Sequence, residues 1–155
     1  MKSYREGRSV ALFCYGISQK VNIPYFFALY EASDFDAIAM WVENETQNFK
    51  PIQMKEFVPE PLNLNTSLNN EISKLSRYPA SKETVVVIHV NRNIHLDFLT
   101  IKIPPLNIGE LWLMGSLSPN VDRWFIYGDL LTAPAIFNFD YPNNKILEMN
   151  NGPGK

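Results

Sequence analysis

The segment Thr84 to Val90 reads Thr-Val-Val-Val-Ile-His-Val. Four β-branched residues in a row, then Ile88, give the strongest strand signal in the chain. The run shows no polar alternation before His89. A strand of that kind is covered on both faces and lies in the middle of a sheet. The elements around it must therefore supply two apolar layers, which points to an α/β or α+β sandwich with a mixed sheet.

The flanking sequence supplies such elements. Val10, Phe13, Cys14 and Ile17 recur at helical spacing and form one apolar stripe. Ser3 is the expected N-cap of that helix, with Glu6 as its capping-box partner. Gly16 is expected to weaken the helix end, and Asn22-Ile23-Pro24 to form a loop. Pro24–Tyr30, Asp36–Glu43 and Phe49–Phe57 read as three strands. The second and third pair as a hairpin across the polar turn Asn44–Asn48. Asn65, Thr66 and Ser67 offer N-caps for a helix presenting Leu68, Ile72 and Leu75 on one face, ending near Pro79. After the central strand, Phe98–Ile103, Glu110–Met114 and Arg123–Tyr127 read as further strands. The Pro-, Asn- and Gly-rich stretch 129–155 reads as mostly irregular surface structure. Residues 1–155 are expected to form a single domain with its core at about 3–128.

Composition removes several classes of function. Charged residues are 19% of the chain and hydrophobic residues 46%, which excludes a disordered tail and leaves ample material for a core. The net charge of -2 supplies no global attraction to polyanions, so any phosphate site must be local. Cys14 is the single cysteine and cannot form an internal disulfide, so nothing calls for an oxidising compartment. No apolar run approaches the roughly 20 residues of a membrane span, and the polar start Met1 to Arg8 does not read as a signal peptide. The expectation is a cytoplasmic protein with no membrane contact. No Cys/His cluster has zinc spacing, no glycine loop could cradle phosphate, and no nucleophile elbow surrounds Ser116.

The hairpin carries the one arrangement suited to catalysis. With its turn centred on Asn44–Thr46, Asp36 falls opposite Gln53 or Lys55. Gln53 and Lys55 are two residues apart and point to the same face. At about 100° per residue, Glu6 lies about 40° from Val10 and shares the apolar face of the first helix, so it can approach the same end of the sheet. A carboxylate with the Gln53 amide oxygen or the Met54 backbone carbonyl can hold Mg2+, which prefers oxygen ligands. A neighbouring lysine can position an attacking water and offset phosphate charge.

Asp36…Gln53-x-Lys55 resembles the motif of the PD-(D/E)xK nuclease superfamily, and more closely its Mrr-type branch, in which glutamine replaces the second acid. The order helix, three-stranded meander, helix, central strand is similar to that family's core, over roughly residues 3–92. The resemblance implies a restriction-endonuclease-like sandwich: a central mixed sheet flanked by helices. It implies a metal-dependent endonuclease, with DNA as its nucleic-acid partner and a role in defence against foreign DNA. Asp36 would be the metal carboxylate, Gln53 the polar group of the metal site, Lys55 the catalytic lysine and Glu6 the helix acid. Asp34 shares the strand parity of Asp36 and is its substitute. Mg2+ or Mn2+ would be the cofactor, and cutting two strands would favour a homodimer.

Each of these residues has a plain alternative. Asp36, Gln53 and Lys55 could form a solvated hairpin face with one ion pair, Glu6 could serve only as a cap, and Asp34 could form an Asx-turn. His89 reads as a hydrogen-bonded core or sheet residue and Cys14 as core. Trp41, Trp112 and Trp124 read either as core or as stacking platforms for bases. Lys2, Arg5, Arg8 and Lys20 make a basic N-terminal region. The competing function is a non-enzymatic binding protein of the immunity-protein or antitoxin type, or a degenerate nuclease fold. A protein binder would need an exposed apolar patch.

Overall fold

The structure, a computed structural model, describes residues 2–30, 34–59, 65–92, 95–118 and 122–141. Its first element is helix α1 (Lys2–Val21). The helix starts before the expected Ser3 cap and runs through Gly16 without ending. Gly16 has a packing role instead: a Cβ there would lie 2.6 Å from Phe139 Cε1 and would also meet the Ile126 side chain. The missing side chain lets the helix lie against the sheet.

Three strands follow: β1 (Phe26–Leu29), β2 (Ala37–Glu43) and β3 (Thr46–Phe57). They form an antiparallel meander. Ala37 pairs with Ile52 and Glu43 with Thr46, so the hairpin turns on Asn44 and Glu45 alone. Both have positive φ, 52° and 63°, as a two-residue hairpin turn of this type requires. Helix α2 (Leu68–Lys74) opens on Ser67, whose Oγ accepts a 3.1 Å hydrogen bond from the Asn70 N–H. A 3-10 turn, Leu75–Arg77, closes it.

The valine-rich segment is β4 (Ser81–Val90). It runs parallel to β3 on one side and to β5 (Ile108–Ser116) on the other. Two antiparallel strands, β6 (Arg123–Gly128) and β7 (Ala135–Asp140), complete one mixed seven-stranded sheet. Strand order across the sheet equals order along the chain.

The two faces of the central strands feed two separate cores. Val85 and Val87 face α1, packing with Val10, Phe13, Cys14, Ile52, Met54, Trp124 and Ile126. Val86, Ile88 and Val90 face the other way, packing with Phe57, Leu68, Ile72, Leu75, Leu111 and Leu113. The chain is therefore an α/β protein whose sheet has one helix on each face.

Two further expectations fail. Phe98–Ile103 is not a strand: Asp97 caps a 3-10 turn, Phe98–Thr100, by accepting the Leu99 N–H at 3.0 Å, and Pro104 and Pro105 then keep the segment out of a ladder. The stretch after residue 128 is not wholly irregular, because β7 pairs along β6 and delivers Phe139 to the α1 core. The remainder of that expectation, residues 142–155, lies outside the described residues.

Candidate functional site

Asp36 stands immediately before β2, where the ladder to β3 begins. Its backbone N–H donates to the Ile52 carbonyl at 2.8 Å. Its carboxylate turns back to β3: Oδ2 accepts from Gln53 Nε2 at 2.8 Å and from the Met54 backbone N–H at 2.8 Å. The carboxylate thus takes over the hydrogen bond that β2 would have made one step further. Of the two partners expected from the hairpin register, Gln53 is the one Asp36 meets.

Lys55 lies two residues beyond Gln53 on the same face of β3, about 7 Å away along the strand. Its Nζ sits 5.1 Å over the Tyr78 ring, a cation–π contact with the chain that follows α2. Glu6 is half-buried on α1. It lines a broad cleft of about 970 Å³ that also includes Gln53, Met54 and Lys55. It does so from the α1 side of the sheet, whereas Gln53 and Lys55 alternate with Met54 and project toward the α2 side, where Tyr78 packs. Asp36 is not itself among the cleft's lining residues and touches that lining only through its bonds to Gln53 and Met54. Asp34 is exposed on the segment before β2 and is not among the cleft's lining residues.

The cleft opens where β3 and β4 end, at Glu56, His89 and Asn91. Ligands of open α/β sheets bind at the carboxyl ends of parallel strands. Arg5 and Arg8, from the basic region noted in the sequence, stand on its α1 side, with the Arg8 guanidinium 5.7 Å over the Trp124 ring. Asn91 Nδ2 donates to Glu56 Oε1 at 2.7 Å and fixes that carboxylate at the rim.

His89 and Ser9 are cleft residues too. Ser9 Oγ and His89 Nδ1 are 3.2 Å apart, and the imidazole packs 5.5 Å from the Trp124 ring. Burial holds the His89 pKa below its ordinary value; nearby Glu56 opposes this and Arg8 adds to it. His89 is thus a strand residue hydrogen-bonded to Ser9 on α1, and it also faces the cleft. Ser9 was legible only as a polar residue one turn before Phe13 on the apolar stripe.

The oxygen donors at hand suit a hard cation. Gln53 spends its Nε2 on Asp36, which leaves Oε1 as an acceptor, and Asp36 retains Oδ1. Among the described residues, no three His, Cys, Asp or Glu side chains gather to share an ion. A site here would hold one or two carboxylates with amide and carbonyl oxygens, the kind of set that leaves Mg2+ several waters.

The tryptophans divide. Trp124 is core, 1% exposed. Trp41 and Trp112 are half-buried and face a second, smaller cleft under the far end of α1. Cys14 is buried in the α1 core, and desolvation pushes its thiol up to about 12. No helix among the described residues is long and apolar enough to cross a membrane. Comparison with family models, with curated proteins and with solved structures gives no match.

Proposed function

We propose that this chain is a metal-dependent nuclease-like protein on a restriction-endonuclease-like sandwich, cleaving phosphodiester bonds, with DNA as the first substrate to test. One observation carries it: the Asp36 carboxylate is hydrogen-bonded to Gln53 and to the backbone of Met54, and both line a cleft shared with Glu6 and Lys55. The element order helix, three-stranded meander, helix, parallel central strand supports the same assignment.

Asp36, the Gln53 amide oxygen, the Met54 carbonyl and Glu6 are the groups that would hold Mg2+ or Mn2+. Bound there, the ion would acidify a coordinated water and screen phosphate charge. Gln53 and Met54 hold the Asp36 carboxylate in one orientation, which spares the site that reorganisation during reaction. Lys55, whose ammonium rests over the Tyr78 ring on the α2 side of the sheet, would orient the nucleophile and stabilise the developing negative charge. Arg5 and Arg8 give the cleft a local positive edge that the whole chain lacks, and they are suited to backbone phosphates. A cytoplasmic site of action, a role in defence against foreign DNA and a homodimer that cuts both strands belong to the same proposal.

A plasmid-cleavage assay with Mg2+ and then Mn2+ tests it, comparing wild type with Lys55→Ala and Asp36→Asn. Cleavage by wild type and its loss in both variants is the expected result. Equal cleavage by all three, or none by any together with no metal-induced rise in Tm, rejects the assignment.

A specific surface favours a second reading, a protein-binding module. On the face of the meander away from α1, Phe26, Met40 and Phe49 form one cross-strand row. Phe26 is 58% exposed and Phe49 61%. An apolar row left in water on a sheet face suits a protein partner, and it would account for a chain with no cleavage activity.

A further inference from the structure

On the α1 face of the sheet, under the last turns of α1, lies a separate cleft of about 240 Å³ that shares no lining residue with the first. Its floor is Ala39, Ile52 and Val85, and the small side chain of Ala39 leaves it hollow. Two aromatic walls face it. On one, Tyr25 stacks on Trp41 with centroids 4.9 Å apart and planes 7° from parallel. On the other, Phe13 meets Trp112 edge-on at 5.8 Å.

The polar groups at the mouth are arranged unequally. Glu110 is fully engaged: Lys50 pairs with one oxygen, and Trp112 Nε1 donates to the other at 2.8 Å. Lys20 is exposed, its Nζ 5.3 Å over the Trp112 ring, and no carboxylate among the described residues pairs with it. The mouth therefore offers one cation that still lacks a counter-ion, beside an aromatic slot. The volume falls below the roughly 300–1,000 Å³ of sites for drug-sized molecules. It accepts one or two fused rings and excludes a nucleotide.

We infer that this cleft binds a small planar aromatic carboxylate, its ring between Trp41 and Trp112 and its carboxylate on Lys20. Ring stacking gives such a ligand its affinity, and the ammonium selects the acid over a neutral ring. The site is independent of the nuclease proposal, since the two clefts share no lining residue.

The test uses 2-naphthoate and its neutral isostere 2-naphthamide with the full chain. Binding is read by calorimetry, and the indole N–H signals of Trp41 and Trp112 are followed by NMR. The expected result is naphthoate binding several-fold tighter than naphthamide, with both indole signals shifting and that of Trp124 unchanged. Lys20→Gln, an exposed substitution, should remove the preference for the acid and leave naphthamide binding as it was. Ala39→Leu fills the floor and should abolish binding of both. The inference is overturned by no binding of either probe at millimolar concentration. It is equally overturned by a preference that survives Lys20→Gln, or by shifts confined to Trp124.

Discussion

Asp36 does structural work before any chemistry. Its carboxylate replaces a ladder bond just before β2 begins, so Asp36→Ala should lower stability by roughly 1–3 kcal/mol, the range for losing hydrogen bonds to a charged group. A urea midpoint unchanged from wild type would show that water replaces those bonds without cost. Asp36→Asn keeps the shape and one acceptor, which is why it is the better variant for the cleavage assay. His89 makes a second residue-scale prediction. Burial lowers its pKa from 6.5, so below about pH 6.5 the unfolded chain binds more protons than the folded one. The contribution is complete above that pH and is lost as pH falls through the folded value. As pH falls below about 6.5, wild type should therefore lose stability more steeply than His89→Gln. Parallel urea-midpoint profiles for the two proteins would refute this.

At the scale of elements, sequence and structure agree where local chemistry decides the outcome. The Asn44–Glu45 turn sets the register that brings Asp36 to Gln53, and the unbroken apolar run of β4 places it between two parallel partners. They part where a distant contact decides. Phe98–Ile103 alternates like a strand, but Asn69 of α2 donates to the Thr100 carbonyl and accepts the Lys102 N–H, which holds the segment outside any ladder. β7 lies in weakly patterned sequence and forms because β6 presents an open edge to it. That Asp36 takes up a ladder bond was not legible, since it depends on where β2 begins and not on any spacing. Gly16 looked like a flaw in a helix and is a contact surface. Gly16→Ala should press Cβ into Phe139 and Ile126 at a cost of about 1–3 kcal/mol. A better helix residue returns only about 1 kcal/mol of that. A lower urea midpoint is the expected outcome, and a higher one would show that α1 lifts off the sheet freely.

Across the whole molecule, protection is layered from the centre of the sheet outward. β4 has partners on both edges and a core on both faces, whereas β1 is a four-residue edge strand whose residues are all exposed. Amide hydrogen exchange should thus be slowest in β4 and β5 and fastest, among the strands, in β1. Uniform exchange across the sheet would mean that it opens only as a unit. The same layering separates the two clefts: one lies at the carboxyl ends of β3 and β4, the other at the opposite end under the last turns of α1, so a ligand in one need not touch the other.

Strand order equal to chain order also governs how the molecule is assembled as it is made. Each strand that leaves the ribosome finds its neighbour already present, so the sheet grows by short-range closures and no strand has to insert between two others. Helix α1 has the reverse fate. It is synthesised before the sheet, yet its apolar stripe rests on Ile126 and Phe139, which belong to the later strands β6 and β7. Throughout translation that stripe remains partly uncovered, a surface for chaperones to hold. The seal over α1 is complete only once β7 has paired along β6 and brought Phe139 onto the helix.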